Sequence, residues 1–212
     1  MKTISTESRY DKNDRLGKAF PDFVEKLAFA LGAGLPVGTN DTFGEIPLKD
    51  CLLSLRLDGY SGRVEVGVGN KRDSRNVLHT AGDVRTHEER TGKTPLTLCI
   101  TIAAEGRSFM ALAADIKRRL LPDAVKLWAR IEQSVNRSND YANGCARVAQ
   151  GYAALLGCTP HQNDSTRAEK NFFPEALHGV NCVTVSEKNV SFKFSGSPDI
   201  AARVLEILKS LS

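Results

Sequence analysis

Apolar residues first recur at helical spacing at Phe20, Val24, Leu27 and Leu31, with Pro21 suited to a first turn and Gly32 and Gly34 to a stop. This predicts a helix over residues 20–31. The pattern then shortens to period two. Leu53, Leu55 and Leu57 alternate with Ser54 and Arg56, and Val64, Val66 and Val68 with Glu65 and Gly67. The Gly-bearing connection 58–62 makes them a hairpin. Leu96, Leu98, Ile100 and Ile102 alternate with Thr97, Cys99 and Thr101 as a third strand. Three helices are expected next: 107–121, with Phe109, Leu112, Ala113, Ile116 and Leu120 on one face; a second opening at Pro122 with Val125, Trp128, Ile131 and Val135; and a third over 139–156 with Tyr141, Cys145, Val148, Tyr152 and Leu155. A polar loop covers 159–171. Val183 and Val185, then Val190, Phe192 and Phe194, form a hairpin turning at Glu187–Asn189. Ser197 caps a last helix with Ile200, Val204, Ile207, Leu208 and Leu211 on its core face.

Strands in hairpins and helices in blocks predict an α+β fold: an antiparallel sheet of about five strands packed against four to five helices. Residues 1–15 are polar and are expected to form a flexible N-terminal arm. The rest reads as a single domain, 16–212, with a possible subdivision into 16–156 and 157–212. Residues 69–95 have no convincing periodicity, and a loop of that length points to function or disorder.

The chain has 212 residues, 41% hydrophobic and 25% charged, which excludes membrane, collagenous and largely disordered classes. The N-terminus has no apolar core of a secretory signal, and no run is long enough for a membrane span. The 5 cysteines form no CxxC pair. Cys51, Cys99 and Cys182 fall in or beside apolar runs, as small buried hydrophobes do. A reducing, cytoplasmic compartment is the expectation.

The net charge is +4, and its excess is local: residues 107–156 hold 8 basic and 4 acidic side chains, while the rest is nearly balanced. On a helical wheel Arg107, Ala111, Ala114 and Arg118 lie opposite Phe109, Leu112 and Ile116, with Lys117 and Arg119 bordering them. Two arginines thus flank small residues that let a partner backbone come close. Arg63, at a strand end, and Lys71, Arg72, Arg75, Arg85, Arg90 and Lys93, in the long loop, are further candidates for phosphate contact. The loop's Asp73, Asp83, Glu88 and Glu89 offset them.

Other chemistry is thinner. Thr91-Gly92-Lys93-Thr94 resembles the end of a phosphate-binding P-loop, but position 87 is His87 where the loop needs glycine, and Pro95 opens a strand. Val66–Gly69 lacks the third glycine of a dinucleotide fingerprint. Cys158, His161, His178 and Cys182 have ligand types and pair spacing in the range of a structural zinc site, against the plainer reading of a buried thiol, a strand residue and loop histidines. No metal or other cofactor is assigned. His79, His87 and Asp83 would carry any acid–base catalysis, yet no nucleophile or oxyanion turn lies near them in sequence. Asp115 and Asp123 read as a helix-face charge and a helix-start charge.

The run Arg107 to Pro122 (RSFMALAADIKRRLLP), following a hairpin and the strand LTLCITI, resembles a segment of small uncharacterised proteins encoded by bacteriophages and prophages, over residues 51–122. The resemblance implies an accessory protein acting on nucleic acid or on a host defence complex, and carries over no catalytic residues. The element order is also similar to that of double-stranded-RNA-binding domains, but the Lys pair expected where Arg107 stands is missing and the preceding loop is too long.

The expected function is therefore non-enzymatic: binding of DNA or RNA through the helices from Arg107 to Arg130 and the 70–93 loop. The alternative is a protein-binding inhibitor of a host nucleoprotein complex. A small hydrolase using the loop histidines is the third.

Overall fold

The computed structural model describes residues 9–58, 61–103, 106–161, 167–173, 180–194, 197–199 and 203. Among the described residues lie the helices α1 (Arg9–Leu31), α2 (His87–Arg90), α3 (Phe109–Arg119) and α4 (Leu121–Leu156). The strands are β1 (Phe43–Pro47), β2 (Leu52–Asp58), β3 (Arg63–Val68), β4 (Lys71–Arg72), β5 (Leu78–His79), β6 (Cys99–Ala103), β7 (Lys170–Phe172), β8 (Val180–Val185) and β9 (Val190–Phe194). The fold is α+β, with the strands divided among sheets ordered β1-β2-β3-β6, β4-β5 and β7-β8-β9. The chain splits into two compact units: residues 1–71 with 78–134, and residues 72–77 with 135–212. The division falls inside α4, whereas the sequence placed a possible subdivision after residue 156.

In the first unit the four-stranded sheet is an antiparallel meander whose register sets Ile46 opposite Leu53, Leu55 opposite Val66, and Val64 opposite Ile102. Period two then puts Leu53, Leu55, Leu57, Val64, Val66, Ile100 and Ile102 on one buried face. Against this face pack α1, through Phe20, Val24, Leu27 and Leu31, and α3, through Leu112, Ala113 and Ile116. Phe23 links the two helices, its ring 5.4 Å from that of Phe109. At Gly44 a Cβ would meet the Val24 methyls at 3.2 Å, so the missing side chain allows the approach of α1 to β1. Gly69, just past β3, lies so close to Leu52 that a Cβ there would meet its Cγ at 2.7 Å.

In the second unit β7, β8 and β9 form an antiparallel sheet. Its core is Ala149, Phe172, Val183 and Val185, with Val148, Tyr152, Ala153, Cys158 and Val190 packed around them.

Several elements differ from the sequence expectation. Helix α1 starts at Arg9, inside the expected arm; residues 9–16 contain no Gly or Pro to stop a helix, and the apolar periodicity marks only the part from Phe20. Pro21 lies within it and forgoes one backbone bond. The second and third helices of the expected trio are one continuous helix, α4. Its buried residues are Ala124, Leu127, Ile131, Val135, Cys145 and Ala149, so Val125 and Trp128 are only half-buried and Leu155 is exposed. The third strand is shorter than expected, since the Thr97 N–H turns away to donate to Asp123 Oδ2 at 3.0 Å. Strands β1 and β7 were not expected, nor were β4, β5 and α2, which lie within the stretch 69–95 read as a loop. Cys51 is buried, and burial pushes its thiol up to about 11; Cys99 is exposed instead, on the outward face of β6. Phe192 is exposed too. Most of the expected last helix lies outside the described residues.

Candidate anion-binding interface

Helix α3 begins where Gly106 takes a positive φ of 82° and Ser108 caps, its hydroxyl accepting from the Ala111 N–H at 3.3 Å. Burying Leu112, Ala113 and Ile116 fixes the helix rotation and leaves Arg107, Met110, Ala111, Ala114, Lys117, Arg118 and Arg119 exposed. Asp115 sits among them with its side chain only 10% exposed, and three guanidinium groups converge on it. Arg107 Nη1 lies 3.3 Å and Arg119 Nη1 3.2 Å from Oδ2, and Arg118 Nη2 lies 3.0 Å from Oδ1. Arg107 also donates to the Ala111 carbonyl. Donation from Arg118, then Arg107 and Arg119, holds the Asp115 carboxyl below the usual range against its own desolvation. Three cations and one anion leave this face with an excess of two positive charges, beside Lys117 and the small residues Ala111 and Ala114.

The candidate cations of the long loop are placed differently. Lys71 pairs with Glu132 at 2.7 Å, its ammonium 5.6 Å from the Trp128 ring centre. Arg72 donates to the Asn76 carbonyl and Arg90 to that of Asp83. Arg75 donates to Asp73 at 3.0 Å and to Ser138 at 2.7 Å. Arg85 is half-buried. Lys93 and Arg63 are exposed. The segment is therefore ordered by its own charges, which pin it with ion pairs and carbonyl contacts. Thr86 caps α2 in a reciprocal box with Glu89, and Glu89 in turn takes Arg130 at 2.8 Å through each carboxylate oxygen. Arg130, expected among the binding helices, is thus engaged within this unit.

Each acid–base candidate has its own local setting. His79 Nδ1 lies 3.0 Å from Ser134 Oγ, a mid-helix hydroxyl. Asp83 accepts from the Thr80 N–H and hydroxyl, and those bonds lower its carboxyl first, with His79 and Arg90 adding to the effect. His87 is the exposed first residue of α2. At residues 91–94 a helix precedes the glycine and none follows, the reverse of a P-loop. Of the zinc candidates, His178 lies outside the described residues, the His161 ring rests edge-on against Phe173 at 5.5 Å, and Cys182 Sγ is 3.9 Å from the Thr184 hydroxyl. Among the described residues no group of three or more His, Cys, Asp or Glu could hold a metal ion.

Sequence reasoning found the α3 arginines and missed what organises them. Asp115 follows Arg107 by eight positions and precedes Arg118 and Arg119 by three and four, a spacing that identifies the latter two partners on a helix. No helix among the described residues is long and apolar enough to cross a membrane. Comparisons with protein-family models, curated proteins and solved structures gave no match.

Proposed function

We propose that this chain binds nucleic acid through the outward face of α3, contacting phosphates and not base edges. The observation that carries the reading is the convergence of Arg107, Arg118 and Arg119 on Asp115 beside the exposed Ala111 and Ala114. Guanidinium groups already held in place lose less rotamer freedom on meeting a phosphate, and small neighbours let a sugar–phosphate backbone approach. Nothing in this arrangement reads a base, so binding is sequence-tolerant and salt-sensitive.

The test is affinity for single-stranded DNA, duplex DNA and duplex RNA between about 50 and 300 mM salt. A steep fall with salt is expected. Reversing Arg107 and Arg118 to Glu should weaken every complex and flatten the slope on duplex DNA by roughly 0.9 for each phosphate no longer neutralised. Absence of binding at the lowest salt overturns the reading and points to an inhibitor whose partner is a protein.

A further inference from the structure

A surface that tracks a nucleic-acid strand strings its cations along the path of the backbone, whose phosphates in a duplex strand advance about 3.4 Å apiece along the axis. The α3 cations are arranged otherwise. Arg107, which precedes the Ser108 cap, and Arg118, in the last turn, are eleven positions apart in the chain, yet both guanidinium groups reach the same carboxylate. Arg107 Nη1 and Arg119 Nη1 share one oxygen at 3.3 and 3.2 Å, so these nitrogens are at most about 6.5 Å apart by that geometry. The side chains bend back to a focus.

A focus suits one compact, multiply charged group. An internal phosphodiester carries a single negative charge and two non-bridging oxygens. A terminal phosphomonoester carries about −1.5 to −2 near neutral pH and three strong acceptor oxygens. The excess of two positive charges matches the second. Each guanidinium has five N–H donors in a planar fork, and Asp115 takes one from each, leaving further donors of 78%-exposed Arg118 and of the half-exposed Arg107 and Arg119. Asp115, largely covered, keeps the three groups gathered in the absence of ligand.

Resting on the nucleic-acid reading, we infer that the Arg107–Arg118–Arg119 focus recognises the terminal phosphate of a nucleic-acid strand. The ligand class is thus a strand end bearing a phosphomonoester.

The experiment compares wild-type binding to oligonucleotides of one sequence carrying a 5′-phosphate, a 3′-phosphate or only hydroxyl ends, with a circular single strand as the endless control. One phosphorylated form should bind about tenfold tighter than the hydroxyl form, the scale of added charge-assisted hydrogen bonds. Arg118→Ala should remove that preference, and Arg56→Ala, at an exposed position of β2, should keep it. Equal affinity for phosphorylated, hydroxyl and circular strands overturns the inference and leaves nucleic-acid binding standing. Binding to none overturns the nucleic-acid reading itself, and the inference with it.

Discussion

Asp73 is a buried carboxylate, its side chain 0% exposed, in the short segment that belongs with the second unit. Burial pushes its carboxyl up. Donation from the Val77 N–H, the Ser138 hydroxyl and the Arg75 N–H, together with the Arg75 guanidinium, outweighs that cost and brings it down to about 2. A folded-state value below the unfolded value near 3.9 means stability fully present above about pH 4 and lost as pH falls toward 2. Asp73→Asn removes the buried carboxylate to which Arg75 and Ser138 donate, and should cost about 3 kcal/mol at pH 7. Urea unfolding at pH 7 and pH 2.5 checks it: the gap between variant and wild type should shrink at the lower pH. In the sequence Asp73 is one acid among several in a mixed-charge loop, because burial of a polar residue comes from distant partners such as Ser138 and leaves no periodic trace. The partners of Asp115 are local instead, and its spacing to Arg118 and Arg119 was open to inspection.

At the scale of elements, α4 shows where periodicity misleads. Polar residues at 136–138 interrupt the apolar stripe and invite a break, but Asn136, Arg137 and Ser138 supply neither Gly nor Pro, and the helix continues. Asn136 is exposed, so Asn136→Pro tests the backbone alone. The substitution should destabilise by about 3 kcal/mol and lower the helical circular dichroism, whereas a loop there would accept it. Strand β1 escaped notice for the opposite reason: Phe43–Pro47 includes a glycine and a proline, and its buried positions are Gly44 and Ile46. Its place is set by pairing with β2 and by the Asn40 side chain, whose Oδ1 accepts from the Thr42 and Phe43 N–H groups at 2.9 Å. The strands around 53–68 were legible because one face is wet and the other dry, which writes alternation directly into the chain.

For the molecule as a whole, the α+β class followed from the order of hairpins and helix blocks, while the division into two units did not, because α4 runs through the boundary without a linker. Each unit has an apolar core of its own. The chain has 1 tryptophan, Trp128, and it belongs to the first unit. Its fluorescence therefore reports that unit, while circular dichroism averages over both. The described core of the second unit centres on Ala149, Phe172, Val183 and Val185, a smaller set than that of the first. Ellipticity should thus begin to fall at lower urea than the tryptophan signal; superimposable curves would mean that the units unfold together.

The close approach of Gly69 to Leu52 has a consequence for descent. The Gly69 N–H donates to the Leu52 carbonyl at 2.7 Å, and the Leu52 side chain fills the space that a residue at 69 would need. The two positions are coupled through shared volume. In sequences descended from a common ancestor with this chain, a side chain at 69 should arrive only alongside a smaller residue at 52, and the two alignment columns should change together.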